Sequence, residues 1–160
     1  TIKEPSGEKC VFHALNDINV TRGSFSRVVQ FEIHINDELN DTYRADGVIV
    51  ATPTGSTAYN LSAGGPIVEP KAELLLITPI CPHTLNTRSI ILSPEDKVEV
   101  RIPIGKNGHP QEVEVNFDGN HKGILRTGDR ICITKSGKVT KFVRINQVSF
   151  LEVLHKKMSE

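Results

Sequence analysis

Between a run of apolar residues and a tyrosine lies Thr52-Pro-Thr-Gly-Ser-Thr57, a segment in which four of six residues carry a hydroxyl. Pro53 fixes one φ angle, and Gly55 allows either sign of φ or the close approach of a ligand. Ser56 or Thr57 is suited to cap a helix that follows. Hydroxyls and free N–H donors then converge on one point, where an anion or the polar edge of a heterocycle can be hydrogen-bonded. The segment is not a P-loop, because it lacks the G-x-x-x-x-G-K-[ST] spacing and has no lysine nearby, and it is not a G-x-G-x-x-G fingerprint. A capped strand-to-helix turn without a ligand is the alternative reading. Tyr59, one turn on, stacks on a base in the first reading and packs in the core in the second.

The elements around the segment place it. Val48-Ile-Val-Ala51 reads as a fully buried strand leading into the loop, and Thr57 to Ala63 reads as a short helix stopped at Gly64-Gly65-Pro66. Elsewhere period-two alternation dominates: Phe31, Ile33 and Ile35; Val98 to Ile104; Val113, Val115 and Phe117; Ile131 and Ile133; Val139, Lys141, Val143 and Ile145. Turn residues punctuate these runs at Asn36-Asp37, Gly105 to Gly108, Asp118 to Asn120, Thr127 to Asp129 and Ser136-Gly137. The fold class predicted is therefore mainly β: an antiparallel β-sandwich of many short strands with one short helix after the loop. The last fifteen residues, with Val148, Leu151, Val153 and Leu154 ahead of His155-Lys-Lys157, read equally as a strand or a terminal helix.

Composition narrows the partners. The 160 residues predict one domain, 1–160, with a single core. Nineteen basic residues balance nineteen acidic ones, so no net field gathers nucleic acid or an anionic membrane surface. No apolar run approaches the ~20 residues that cross a bilayer. Cys10, Cys81 and Cys132 are widely spaced with no C-x-x-C pair, which argues against a disulfide framework or a zinc site and for a cytoplasmic location. The only methionine is Met158, so the chain reads as a fragment of something longer.

Asp46-Gly47, the apolar strand and Thr-Pro-Thr-Gly-Ser-Thr-Ala-Tyr59 together resemble the signature of the NAD kinase family. Three more segments match it in order: Ala14-Leu-Asn-Asp17, Ile77 to Leu85, and Val115-Asn-Phe-Asp-Gly119. The resemblance implies transfer of the terminal phosphoryl group of ATP or polyphosphate, with a divalent metal (Mg), to the 2′-hydroxyl of the adenosine ribose of NAD, giving NADP. In that family the catalytic aspartate belongs to a Gly-Gly-Asp-Gly loop of an N-terminal α/β domain. No such loop occurs in this sequence, so the resemblance assigns these residues to the acceptor side, with no catalytic residue and no metal ligand among them.

By position, the resemblance implies that Thr54, Thr57 and Ala58 surround the adenine and that Tyr59 lies against a ring of the dinucleotide. It also implies that Ser62 reaches towards the nicotinamide end. Asn16 and Asp17 would meet the ribose hydroxyls, although the family most often has a longer Glu at the position of Asp17. Asp46 would enter a neighbouring subunit's site, which implies a homo-oligomer, dimer or tetramer. Cys81, His83 and Asp118 are weaker candidates for contact with the dinucleotide; Asp118-Gly119 reads first as a tight hairpin turn. Two rival readings remain open: a non-catalytic nucleotide-binding regulatory module, and a related kinase acting on a lipid or another small hydroxyl compound.

Overall fold

A computed structural model of the chain describes residues 2–3, 9–23, 28–84, 87–143, 145 and 148–159. Leu85, the end of one matched segment, lies outside them. Two six-stranded antiparallel sheets form the molecule. The first has the order β2 (Lys9–Cys10), β1 (Ile2–Lys3), β12 (Arg130–Ile133), β9 (Val98–Arg101), β4 (Val29–Ile35), β5 (Glu38–Ala45). The second runs β11 (Asn120–Arg126), β10 (Glu112–Phe117), β3 (Asp17–Arg22), β6 (Gly47–Ala51), β7 (Leu75–Ile80), β8 (Ile90–Leu92).

Alternation decides which face each strand buries. Phe31, Ile33, Val98, Val100 and Ile131 of the first sheet meet Val20, Val48, Val113, Val115 and Phe117 of the second in one core. Each such side chain, fully buried, contributes ~1.5–3 kcal/mol. In β3 the core therefore takes Ile18 and Val20, and Asp17, Asn19 and Thr21 are left on the outer face. Strand β6 has no exposed face, since all five of its residues are buried. Its outer side chains, Ile49 and Ala51, join Leu76 and Ile80 in a second cluster covered by Ala63, Val68 and Leu74. The segment after β6 thus roofs β6 and β7 and stops short of β3 and β10, leaving an open groove beside it.

Turn chemistry matches the prediction at both tight hairpins. Asn36 and Asp37 have φ of 51° and 70°, and Asp118 and Gly119 have φ of 48° and 77°. Two consecutive positive φ values are what a type I′ turn requires.

The structure corrects some of these expectations and decides one that the sequence left open. The helix expected over Thr57–Ala63 is two pieces, a 3-10 turn at Thr54–Thr57 and one α turn, α1 (Tyr59–Ser62), separated by Ala58 at φ −93° and ψ −132°. Neither piece has a side-chain cap: the Ser56 hydroxyl instead donates to the Val68 carbonyl and accepts from the Val68 N–H. The strand expected over Val98–Ile104 ends at Arg101, because Pro103 has no N–H for a ladder; Ile102 hydrogen-bonds to the turn at Gly128-Asp129. No strand forms at 139–143, where Val139 and Val143 are 82% and 90% exposed, and alternation without a partner edge does not make a strand. The end of the chain is a helix, α2 (Phe150–Met158), opened by a reciprocal capping box between Ser149 and Glu152 and closed over His155, Lys156 and Lys157.

Candidate functional site

The groove beside the β6 roof is a cleft of ≈ 570 Å³ lined by Asn16, Asp17, Asn19, Thr21, Ala58, Tyr59, Asn116, Asp118 and Gly119. Its floor is the outer face of β3 and β10, where Asn19 stands opposite Asn116 in the antiparallel register. Ala58 and Tyr59 form the wall contributed by the roof.

Backbone contacts hold the Leu15–Asp17 segment at the head of the cleft from two sides. The Asp118 carboxylate accepts the N–H groups of Leu15, Asn16 and Asp17 at 2.7, 2.7 and 3.1 Å. Successive amides pointing one way make an anion-binding concavity, and here the protein's own carboxylate fills it. From the other side the Thr52 N–H donates to the Asn16 carbonyl at 2.9 Å, and the Thr52 hydroxyl donates to the Leu15 carbonyl at 2.7 Å. Gly55 closes the contact, since a Cβ there would lie 2.0 Å from the Asn16 carbonyl oxygen. The hydroxyl-rich loop therefore acts first as a clamp on Asn16. Asp118, read from sequence as a turn residue, is the other half of that clamp.

A second polar network fixes the roof. The Asn60 side chain, fully buried, donates to the Ser56 and Pro66 carbonyls and accepts from the Thr78 hydroxyl at 2.7 Å. Gly65 leaves room for it, as a Cβ there would meet Asn60 Oδ1 at 2.2 Å. Tyr59 is left outside this network with 43% of its surface exposed, and it forms the edge of the cleft rather than part of the core.

Asp17 is the one acidic side chain buried in the cleft, at 4% exposure. Burial pushes its carboxyl above the ordinary range; the Asn19 amide, donating to Oδ1 at 2.9 Å, draws it down, and the nearby Asp118 charge pushes it up again. A carboxylate in this state accepts hydrogen bonds readily and suits a ligand that brings hydroxyls.

The structure brings together five of the residues singled out from sequence: Asn16, Asp17, Ala58, Tyr59 and Asp118. Thr54, Thr57 and Ser62 lie on the roof outside the lining, with Thr57 and Ser62 exposed. Asp46 accepts from the Arg22 guanidinium at 2.9 Å on the rim between β3 and β6. Exposed Cys81, at φ 45°, and His83, whose N–H donates to the Arg44 carbonyl, follow β7 away from the cleft. Asn19, Thr21 and Asn116 line the cleft and were not singled out. The polar half of the Asp17 to Thr21 alternation was visible, but its meeting with Asn116 depends on pairing across almost a hundred residues. Among the described residues no group of three or more His, Cys, Asp or Glu side chains is placed to hold a metal ion.

Fold and cleft together define a β-sandwich domain that presents an open, polar groove of small-molecule size. Residues 15–145 match the family model of the ATP-NAD kinase C-terminal domain, and the chain belongs to that family. It is 50% identical to the NAD kinase of Lachnoclostridium phytofermentans over 147 residues, covering 92% of this chain and 52% of that protein. It is 48% identical to the NAD kinase of a Thermoanaerobacter species, covering 93% of this chain and 51% of that one. Among solved structures, a yeast NADH kinase complexed with NADH is similar with a TM-score of 0.75 and 39% identity, over 83% of this chain and 38% of the yeast chain. The chain spans about half the length of the curated relatives it matches. Among the described residues, no helix is long and apolar enough to cross a membrane.

Proposed function

We propose that this chain is the acceptor-binding domain of an NAD kinase and that the Asp17–Tyr59 cleft holds the adenosine end of NAD or NADP. The observation that carries this reading is the joint placement of a buried hydroxyl-accepting carboxylate, a backbone-clamped asparagine and an exposed tyrosine edge in one cleft. Asp17 and Asn16 take the ribose hydroxyls, Ala58 meets the base through its backbone, and the Tyr59 ring stacks on it. Thr54, Thr57 and Ser62 extend the contact along the roof. Asp46 completes the site of a neighbouring subunit in a homo-oligomer, and Cys81 and His83 are weaker candidates for contact with the dinucleotide. The setting is cytoplasmic.

The reaction is phosphoryl transfer to the ribose 2′-hydroxyl, with ATP or polyphosphate as donor. A divalent metal bound with the donor would supply charge neutralisation. Among the described residues no His, Cys, Asp or Glu cluster is placed to hold it, and this reading assigns it to the donor side of the reaction. This domain's part in the chemistry is to orient the acceptor hydroxyl and exclude water beside it.

Tyr59→Ala in the full-length protein tests the reading. A base–aromatic stack contributes ~1–3 kcal/mol, so NAD affinity falls between about fivefold and about 150-fold. The melting temperature stays close to that of the unsubstituted protein, because the ring is not in the core. Unchanged NAD affinity, or saturable binding of a lipid acceptor in place of NAD, would overturn the assignment. NADP formation by residues 1–160 alone would overturn the placement of the transfer chemistry outside them.

A further inference from the structure

Resting on the reading of the cleft just given, we infer that Asn19 is a positioning residue, which pins one oxygen of the Asp17 carboxylate so that the other faces the acceptor's hydroxyls. Both side chains stand on the outer face of β3, two residues apart, at 4% and 5% exposure. Asn19 Nδ2 donates to Asp17 Oδ1 at 2.9 Å, and this is a buried contact. Among the described residues no protein group donates to Asp17 Oδ2. One oxygen is therefore committed and the other is open to a ligand.

The cost of the arrangement shows that it is specific. Asn19 Oδ1 is buried with no partner. A buried amide carbonyl without a donor is destabilising, and turning the amide over would only place that carbonyl against an acceptor-only carboxylate. The orientation with Nδ2 towards Asp17 is the one an ionised Asp17 demands.

Among the described residues no cation acts on Asp17 in place of this amide. Among the described residues, the charged and titratable groups that share its surroundings are Asp118 in the β10–β11 turn, Tyr59 of the cleft wall and, further along the same face, Glu114 of β10 and His121 of β11. Asp118 is already occupied by three backbone N–H groups. Asn19 is thus the donor that offsets burial and the neighbouring negative charge.

The test is calorimetric titration of the full-length protein with NAD between about pH 5 and 8, where carboxylate linkage is read most directly. It compares unsubstituted protein with Asn19→Leu, Asp17→Asn and the double variant. Asn19→Leu is expected to weaken NAD binding about tenfold at neutral pH, the scale of a hydrogen bond to a charged group. It should also move the acid limb of the affinity profile to higher pH. In the Asp17→Asn background the same substitution should change affinity less than twofold. Asn19→Ser, smaller and still a donor, should shift the profile in the same direction by less, and it replaces the leucine variant if that one does not fold.

An unmoved acid limb with Asp17→Asn itself weak overturns the positioning role alone. So does an equal loss in both backgrounds, which marks a packing effect. Asp17→Asn binding NAD as tightly as the unsubstituted protein overturns the cleft reading and this inference with it.

Discussion

Two carboxylates are buried to the same extent on the outer faces of the two sheets, and they are treated in opposite ways. Glu99 of β9 and Asp17 of β3 are each 4% exposed. Glu99 has two guanidinium partners, Arg101 at 2.5 Å and Arg130 at 3.4 Å, both within its own sheet. Asp17 has one neutral amide, with a second carboxylate nearby. A buried charge that is answered by cations is part of the scaffold, whereas one held by a single amide beside a cleft keeps its capacity for a ligand. Equal burial therefore does not mean equal role; the partners decide.

The contrast can be broken from the Asp17 side through its support. Gly55→Ala drives a methyl group into the Asn16 backbone, and relief requires moving the clamp that carries Asp17. We expect a loss of about 3 kcal/mol in denaturant unfolding, together with loss of NAD binding. On the other side, Glu99→Leu leaves Arg101 and Arg130 without their shared acceptor. Their side chains are 37% and 45% exposed and can turn to water, so the loss is about 1–2 kcal/mol with NAD affinity unchanged.

Asp17→Asn sharpens the contrast by reversing the sign. The folded-state pKa of Asp17 is raised above its unfolded value, principally by burial. Its contribution to stability is fully present below the unfolded value, near 3.8, and is lost as pH rises through the folded value. The variant is therefore expected to melt above the unsubstituted protein at pH 7, with the gap closing towards pH 4, while NAD affinity falls about tenfold. A lower melting temperature at pH 7 would place Asp17 with Glu99 as a structural charge.

The smallest effect separates a buried polar group in the core from one in the cleft. Tyr43, 1% exposed on β5, has a hydroxyl without a partner, and burial first, then Asp41, pushes its pKa up to about 12. Tyr43→Phe should leave NAD binding unchanged and alter stability by no more than about 1 kcal/mol, in the stabilising direction.

How much of this was legible in the sequence follows from the range of the forces involved. Alternation and turn residues act locally, so β4, β6, β10, β12 and the turns at Asn36-Asp37 and Asp118-Gly119 could be read directly. The family signature marked Asn16, Asp17, Ala58 and Tyr59. Pairing is not local, and it decided the rest. Asn19 and Asn116 meet only because β3 and β10 are neighbours in register. Asp118 became a clamp rather than only a turn residue because the Leu15–Asp17 amides lie over it. The alternation at Val139 to Val143 misled for the same reason in reverse, since among the described residues it pairs with no strand.

The most direct measurement is a crystal structure of the full-length protein with NAD bound. The adenosine ribose hydroxyls should lie within hydrogen-bond distance of Asp17 Oδ2 and the Asn16 side chain, with the adenine against Tyr59 and Ala58. A dinucleotide seated on another face of the sandwich, with Asp17 contacting only Asn19, would contradict the account.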